Sequence, residues 1–387
     1  MNLTESKVVE LIGKMNSVSG SAIPPQPPIV EMFNIAMDEK MLDYLLAVGT
    51  EPHTVAELEA IYRAQGHEDW EAHWKQVLQM SFVHPYSDNQ RHLYQLSPIF
   101  PGWVEFFTAG PDDPKRFAVL NKFMEFWGML KLMNRSPMRE MSDGATLKAM
   151  AAGDPPKVST FTVQPEGRNI SLNQPLESRQ EVLTLGSVYT ILERNKDEIA
   201  IANCFCRRYK KMSKGELCDL DIPQESCVAL GAIAKQLIEN GTARPMSFEE
   251  AVAKMAEFED NGCIHTTFHN HNRANEEEIV ICNCCPDCCL LYNGYRQAGL
   301  SKLYARSFFS PRMLDESKCV GCNLCGKYCP TGATYYDKAE KKLVFDYEKC
   351  VGCGQCVHQC KFDVREMAPD QRDVFVKTRL PEEASDA

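Results

Sequence analysis

Two segments near the C-terminus repeat the same arrangement of cysteines, and they begin 31 residues apart, at positions 319 and 350. Each has the pattern C-x2-C-x2-C-x3-C; the members are Cys319, Cys322, Cys325 and Cys329 in the first segment and Cys350, Cys353, Cys356 and Cys360 in the second. Three cysteines at this spacing wrap one tight loop around an iron–sulfur cubane and reach three of its irons. The fourth lies too far along the chain to complete the same cubane, so it ligates the other one. The repeat therefore predicts two [4Fe–4S] clusters.

This crossing assigns four ligands to each cluster. Cluster 1 takes Cys319, Cys322, Cys325 and Cys360, and cluster 2 takes Cys350, Cys353, Cys356 and Cys329. Gly321 and Gly352 let the backbone approach each cubane closely. A pair of zinc sites is the alternative, but each would use two C-x2-C pairs and would not need a third regularly spaced cysteine.

Residues 312–370 resemble the two-cluster bacterial ferredoxins, which carry this cysteine motif. The resemblance implies a pseudo-twofold βαβ-like unit with two low-potential one-electron centres. One position departs from the family's pattern, because Lys361 stands where proline is common. This departure changes the turn and the charge beside Cys360, and thereby a cluster potential, but it removes no ligand.

A second set of cysteines lies between residues 204 and 289. We predict that nine of them bind metal: Cys204, Cys206, Cys218, Cys227, Cys282, Cys284, Cys285, Cys288 and Cys289. Five fall within residues 282–289, a density that core packing in a reducing compartment does not require. They would hold a third [4Fe–4S] cluster, a zinc ion, or one larger or non-standard cluster with cysteines to spare. Cys263 stands alone, and we expect it to be an unligated thiol.

Basic side chains accompany the first of these cysteines. Arg207 and Arg208 follow Cys206 directly. They either offset the negative charge of the thiolates or belong to a solvated basic turn that continues through Lys210 and Lys211. The sequence leaves both interpretations open.

Three histidines follow Cys263 at strand spacing. His265, His269 and His271 would share one face of a strand, since side chains alternate with a period of two. No acidic pattern accompanies them, so we favour a structural role, with His265 close enough to the cysteines to line a cluster or small-molecule pocket. Nucleotide cofactors are not indicated, because the chain has no phosphate loop and no G-x-G-x-x-G motif.

The distribution of cysteine divides the chain of 387 residues into two unlike halves. All 18 cysteines lie between positions 204 and 360. No stretch of 18 apolar residues is present, and the N-terminal residues lack a basic segment followed by an apolar one, so we expect neither a transmembrane helix nor a secretory signal. In the reducing cytoplasm that this implies, dense cysteine indicates metal or redox chemistry rather than disulfides.

The net charge is −11, and much of it lies at the N-terminus, where residues 1–110 hold 6 Lys and Arg against 14 Asp and Glu. No region is basic. Duplex DNA requires neutralisation of its phosphates by Lys and Arg, so nucleic acid is disfavoured as a partner. A protein redox partner is expected instead.

These patterns predict an α+β multidomain fold. The expected units are an N-terminal helix with a Pro-rich spacer (1–29), a winged-helix-like helical module (30–134), an α/β cysteine-rich domain (135–310), a ferredoxin-like 2[4Fe–4S] domain (311–380) and a tail (381–387). The winged-helix outline rests on three helical patterns, Met37–Val48, Thr54–Ala64 and Trp70–Met80, with a hairpin pattern between residues 82 and 96.

Residues 30–370 resemble a group of little-characterised cytosolic iron–sulfur proteins of anaerobes, on motifs that are specific only after position 200. The matching residues are Cys204, Cys206, Arg207, Cys218, Asp219, Cys227, Ile281 to Cys285, Cys288 and Cys289. The resemblance implies electron transfer in anaerobic metabolism and names no substrate.

We therefore expect an electron carrier or an electron-transfer subunit of an oxidoreductase. It would pass single low-potential electrons through two [4Fe–4S] clusters, to or from the further cysteine-ligated centre and a redox partner. A reductase with a catalytic metal cluster in residues 204–289 is a second hypothesis. An iron–sulfur redox sensor with a winged-helix output is a third.

Overall fold

The computed structural model describes residues 3–19, 23–88, 91–133, 158–161, 188–269, 278–298, 304–305, 307 and 309–370. Helices and strands are mixed, as predicted. No helix in these ranges is long and apolar enough to cross a membrane. Most of residues 135–179 and all of the tail at 381–387 fall outside the described ranges.

The N-terminal part is mainly helical. Its elements are α1 (Glu5–Ser19), α2 (Pro27–Ala36), α3 (Glu39–Val48), α4 (Val55–Ala64), α5 (Trp70–Gln79), β1 (Val83–Asp88), β2 (Arg91–Leu96), α6 (Val104–Ala109) and α7 (Pro114–Met133). Thr54 and Glu57 form the predicted capping box at α4. The proline run differs from the expected spacer, since Pro27 and Pro28 begin α2. Proline is favourable there because the first turn of a helix has no use for its N–H.

The middle part is built on a seven-stranded sheet. Its elements are β3 (Val158–Phe161), α8 (Val188–Arg194), β4 (Ile199–Asn203), α9 (Phe205–Lys214), β5 (Glu225–Leu230), α10 (Gly231–Glu239), β6 (Ala243–Pro245), α11 (Phe248–Asp260), β7 (Ile264–His269), β8 (Glu278–Cys284), α12 (Leu290–Ala298) and β9 (Tyr304–Ala305). The strand order is β6-β4-β5-β8-β7-β3-β9. Every neighbouring pair is antiparallel except β3 and β9, which are parallel.

The two faces of this sheet belong to two separate apolar cores. Ile201, Val228 and Ile281 are paired across β4, β5 and β8, and they lie in the smaller core. One position along, Cys227 and Cys282 are paired, and both lie against the larger core. Because side chains alternate along a strand, the cysteines within β5 and β8 all face the larger core.

The N-terminal part covers the face of the sheet that carries these strand cysteines. Helix α10 packs against both the sheet and β1. From α10, the Gln236 side chain donates to the carbonyl oxygen of Val83 at 3.0 Å, and the Asn240 side chain donates to that of Leu78 at 3.2 Å. The larger core runs without a break from α1 to the cysteines of the sheet. The two halves that composition separates are therefore packed together.

The C-terminal part repeats its structure as it repeats its sequence. Its elements are β10 (Phe309–Met313), α13 (Leu324–Tyr328), β11 (Thr334–Asp337), β12 (Lys342–Phe345), α14 (Gln355–His358) and β13 (Arg365–Pro369). β10 pairs with β13, and β11 with β12. Asp315 and Asp346 cap equivalent short turns before the two cysteine loops. Gly321 and Gly352 have positive φ in these loops, which a residue with a Cβ adopts at a cost.

Candidate metal centre

Six cysteines of the middle part form one continuous group on the larger-core face of the sheet, which we call the six-cysteine group. Its thiols interact in a chain, in the order Cys204, Cys206, Cys289, Cys284, Cys282 and Cys227. Every member is buried or half-buried. Six sulfur atoms brought together in a protein interior are suited to binding a metal cluster.

Strand register and two helix ends position the six-cysteine group. Cys227 on β5 lies opposite Cys282 on β8, and Cys284 follows two residues later on the same face. Cys204 is the N-cap of α9, and Cys289 immediately precedes α12. The backbone N–H of Leu290 donates to Cys206 Sγ at 3.3 Å. Two helix N-termini therefore meet at the thiols.

These helix ends favour the thiolate form, which is the metal-binding form. The hydrogen bond with Cys206, aided by the charge of Arg207, lowers the pKa of Cys204 to about 6. Burial raises the pKa of Cys289, but hydrogen bonds from Cys206, Cys284 and the first N–H groups of α12 outweigh it and lower that pKa below its usual range. Cys204 and Cys289 are therefore the members of the group that favour the thiolate, whereas burial and hydrogen bonds with neighbouring thiols raise the pKa values of Cys206, Cys282 and Cys284.

A separate three-cysteine group consists of Cys218, Cys285 and Cys288. Their Sγ atoms all lie within 4.8 Å of one another, and Cys218 Sγ is 3.6 Å from Cys285 Sγ. All three lie in or against the smaller core, on the other face of the sheet. Hydrogen bonds from Cys285 and Cys288 lower the pKa of Cys218 far below its usual range. The group therefore presents sulfur ligands at metal-binding separation.

Lys210 holds the two segments of the three-cysteine group together. Its Nζ lies 2.7 Å from a carboxylate oxygen of Asp219 and 2.7 Å from one of Asp287. Asp287 also accepts the backbone N–H of Asp219 at 2.9 Å. Because these carboxylates neighbour Cys218 and Cys288 in the chain, the ion pairs fix the thiols relative to each other. Lys210 therefore does not belong to a freely solvated turn.

Arg207 lies between the two cysteine groups and is only 3% exposed. Its guanidinium donates to Ser226 Oγ at 2.6 Å, to the carbonyl oxygen of Asn283 at 2.7 Å and to Cys263 Sγ at 3.5 Å. Burial lowers the pKa of Arg207, but the surrounding cysteines outweigh it and raise that pKa. Of the two interpretations of this arginine, the structure supports the one in which its charge offsets the thiolates.

The neighbouring Arg208 is also buried, but it contacts the N-terminal part. It donates to the carbonyl oxygens of Thr108 and Gly110 and pairs with Asp112 at 2.5 Å. It therefore anchors α9 to the N-terminal part rather than to the cysteines. Lys211, which the sequence grouped with it, is exposed.

A cavity of about 60 Å³ opens beside the six-cysteine group. Eight cysteines line it, namely all six of that group together with Cys285 and Cys288. The facing wall comes from the N-terminal part and includes Pro101, Glu105 and Phe106. Sequence reasoning missed Glu105, since nothing in its local pattern distinguishes it from an ordinary residue in the first turn of a helix.

The eight cysteines of the C-terminal repeat line two smaller cavities. One is lined by Cys329, Cys350, Cys353 and Cys356. The other is lined by Cys319, Cys322, Cys325 and Cys360, with Cys356 at its edge. The crossed ligand assignment itself stays a prediction.

Arg365 lies between these two cavities. Burial raises the pKa values of Cys325 and Cys356, and the charge of Arg365 acts on both thiols in the opposite direction. Both terminal nitrogens of Arg365 are buried and have no hydrogen-bond partner within the part of the chain that the structure describes. Buried donors without partners are rare in folded proteins, so these nitrogens fit an anionic group beside them.

The remaining predicted residues lie around the cysteine groups. Cys263 is fully buried and its thiol accepts from Arg207, but it is not one of the three sulfurs that lie within 4.8 Å of one another. His265 Nδ1 lies 2.6 Å from Asn283 Oδ1, on strand residues that are paired. His269 ends β7, and His271 falls outside the described residues.

Comparison with known proteins is informative for the C-terminal part. Residues 318–364 match the family model of a 4Fe-4S dicluster domain. The chain has no match among curated proteins or solved structures, and the resemblance of residues 30–370 to iron–sulfur proteins of anaerobes stays a prediction. The C-terminal part is a 4Fe-4S ferredoxin domain, and the chain carries the metal-binding and electron-transfer chemistry of an iron–sulfur protein.

Proposed function

We propose that this protein passes single electrons between an external redox partner and a metal centre in the cysteine-lined cavity, by way of its two ferredoxin clusters. The observation that carries the proposal is a contact at the ferredoxin surface. Gln355 lies between Cys353 and Cys356, and its side chain donates to the carbonyl oxygen of Cys263 at 2.7 Å. The site of cluster 2 therefore adjoins the segment that leads to Arg207 and the cysteine groups.

The exposure of the two cluster sites indicates which of them exchanges electrons with the external partner. Around cluster 1, Cys322 is exposed, as are the apolar side chains of Val320 (62%) and Phe362 (41%). At the site of cluster 2, Cys350 and Cys353 are buried, and Cys353 belongs to the larger core. An exposed centre can exchange electrons with a partner protein, whereas a buried centre exchanges them inside the chain. Cluster 1 is thus the centre that exchanges electrons with the partner protein.

The grouping of the cysteines suggests which of them would ligate each centre. Cluster 1 would be held by Cys319, Cys322, Cys325 and Cys360, and cluster 2 by Cys350, Cys353, Cys356 and Cys329. In the middle part, the six-cysteine group has enough cysteines to ligate an iron–sulfur cluster. The three-cysteine group would hold either zinc or a cubane, with one coordination position that is not a cysteine. When bound, these centres supply one-electron redox chemistry; the residues of this chain hold them and balance their charge.

In this proposal the N-terminal part encloses the metal centre and does not act as the output module of a sensor. Its three helices and hairpin support a winged-helix-like arrangement. However, the β1 end packs against α10, and the segment after the hairpin forms a wall of the cavity. A surface buried in this way is not available to DNA, and the acidic charge of residues 1–110 would repel phosphates. We assign this part to enclosing the metal centre.

Iron and sulfide analysis of anaerobically purified protein, with zinc measured in parallel, tests the proposal. About eight irons per chain would confine iron to the ferredoxin domain, whereas about twelve or more would indicate iron in the middle part as well. Reduction through cluster 1 should then reach the middle centre and change its EPR spectrum. A middle centre that stays oxidised while both ferredoxin clusters are reduced would contradict the proposed path.

Single cysteine replacements separate the centres. Cys322→Ser is expected to lower the iron content by about one cubane and Cys285→Ser to lower the metal content of the middle part alone. Cys263→Ser should leave the metal content unchanged, because serine can still accept the hydrogen bond from Arg207. Metal analysis of the three variants checks this, and an equal loss of iron in Cys322→Ser and Cys263→Ser would refute the grouping.

Replacement of Arg365 is expected to change both ferredoxin potentials. A buried cation stabilises the more negative, reduced state of each cluster, so Arg365→Leu should lower both midpoint potentials, whereas Arg365→Lys should retain most of the effect. Lys361→Met is the comparison variant: because Lys361 is exposed and solvent screens its charge, its effect on a cluster potential should be smaller than that of Arg365. Protein-film voltammetry measures the shifts, and a larger shift in Lys361→Met than in Arg365→Leu would contradict this role.

A further inference from the structure

The cavity is lined by apolar side chains as well as by cysteines. Phe106 and Pro101 come from the N-terminal part, Leu237 from α10 and Leu291 from α12. The six-cysteine group and residues 101–106 line the same cavity. Apolar walls with a few placed polar groups are typical of sites for small organic molecules.

One carboxyl group is placed in this apolar wall. Glu105 Oε2 accepts the backbone N–H of Gly102 at 2.8 Å. Glu105 Oε1 is buried and has no hydrogen-bond partner within the described residues. No ion pair with Glu105 is found in that part of the chain. One carboxyl oxygen is thus satisfied by the backbone, and the other is left for a partner that the chain does not supply.

Burial makes this carboxyl a hydrogen-bond donor at neutral pH. Desolvation raises the pKa of Glu105 to about 8, against a smaller opposing effect of the hydrogen bond from Gly102. The other titratable groups lining the cavity are His84 on β1, Arg207 on α9 and the cysteines of the two groups. Thiolates or an anionic cluster would favour the protonated acid further, since like charges disfavour ionisation.

We propose that the cavity binds an uncharged, largely apolar organic molecule bearing one hydrogen-bond acceptor oxygen, such as a ketone, and that Glu105 donates a hydrogen bond to that oxygen. The inference rests on the proposed function in one respect, namely that a metal centre occupies the cysteine wall opposite. A ligand held in this way lies between an acid group and an electron source, which is the arrangement that a reductase requires. A carboxylate ligand is disfavoured, because its charge would be buried and the guanidinium of Arg207 already donates to Ser226, Asn283 and Cys263.

Binding of cyclohexanone to the oxidised holoprotein, followed by saturation-transfer NMR and calorimetry, tests the inference without depending on turnover. We expect saturable binding of cyclohexanone and none of cyclohexanecarboxylate, which has the same ring. Glu105→Ala should weaken binding about tenfold, which corresponds to one buried hydrogen bond. Glu105→Gln should bind like the wild type, because its amide both accepts from Gly102 and donates to the ketone.

The pH dependence separates hydrogen-bond donation from a merely structural role. Above about pH 8 the wild-type carboxyl loses its proton, so affinity for cyclohexanone should fall there and stay constant in Glu105→Gln. If Glu105 only caps α6, Glu105→Ala would lower thermal stability and leave affinity unchanged, which would overturn the inference. Equal binding of ketone and carboxylate would also overturn it.

Iron content measured on the same samples distinguishes this result from the proposed function. Ketone binding with these responses in protein holding only about eight irons would support the ligand site while removing iron from the cysteine wall. Absence of ketone binding in protein holding twelve or more irons would overturn the ligand site alone.

Discussion

Replacing Arg207 by methionine is expected to remove the metal from the middle part of the chain and to leave the ferredoxin clusters in place. Arg207 is the buried cation nearest to both cysteine groups, and its charge interacts with Cys204, Cys218 and Cys285. Removing one partner from a buried set of opposite charges costs about 3–5 kcal/mol. A loss of that size corresponds to at least a hundredfold weaker metal retention.

The adjacent arginine provides a matched control. Arg208 is as deeply buried as Arg207, with 2% and 3% exposure, and it lies on the same helix, but it contacts the N-terminal part instead of the cysteines. Arg208→Met should therefore destabilise the fold and still retain the metal of the middle part. Metal analysis and the EPR signals of the ferredoxin clusters, measured on both variants, distinguish them. Equal metal loss from Arg207→Met and Arg208→Met would show that general destabilisation, and not lost charge, is responsible.

The second large effect is expected at Gly262, where the ferredoxin domain meets the middle part. Gly262 has φ +90°, and a Cβ at this position would overlap the ring of Tyr328, three residues after Cys325. Alanine in a left-handed conformation costs about 1–2 kcal/mol before any overlap is counted. The added Cβ must displace the ring of Tyr328, and with it the segment that carries Cys325, so Gly262→Ala should slow electron flow from the ferredoxin clusters to the middle centre.

Two variants isolate the contact from the backbone strain. Gly241 has φ +73° with no atom within 4 Å of an added Cβ, so Gly241→Ala carries the strain without the overlap and should leave electron flow intact. The double variant Gly262→Ala, Tyr328→Ala removes the overlapping ring and should recover part of the rate. Rapid-mixing spectroscopy of the reduction of each centre measures these rates. Slow reduction of clusters 1 and 2 themselves in Gly262→Ala would argue against a docking effect.

The chemistry of the C-terminal domain is predictable from sequence because it is local. Three ligands of each cluster fall within seven consecutive residues, so their spacing alone specifies the loop that holds a cubane. The crossing of Cys329 and Cys360 follows from the same geometry. The described residues that line the two cavities all lie between positions 311 and 365.

The middle cysteines could not be sorted in the same way, because their grouping depends on tertiary structure. Cys227 and Cys282 are far apart in the chain and meet only through the register of β5 and β8. Cys284 and Cys285 are adjacent in sequence, yet they enter different groups on opposite faces of the sheet. Strand alternation separates them, and it cannot be applied until the end of the strand is known.

The sequence also did not indicate that the N-terminal part lines the cavity. Capping residues and helical periodicity indicated the helices, but they do not say which surface those helices cover. Glu105 becomes distinctive only when the cysteine-bearing sheet packs beside it and excludes water from its carboxyl group. The sequence therefore predicted a winged-helix-like module in the cysteine-free half without indicating that its buried face forms part of the proposed site.

The shared wall of the cavity has a consequence for how the protein matures. Residues 98–109 form one side and residues 202–291 the other, so the enclosure exists only after the two have closed on each other. Translation produces the first side about a hundred residues before the first cysteine. Metal delivered after closure must enter by the mouth, whereas metal delivered earlier meets cysteines that are still open to solvent. The route by which metal reaches the inner centre therefore depends on whether it is inserted before or after the chain has folded.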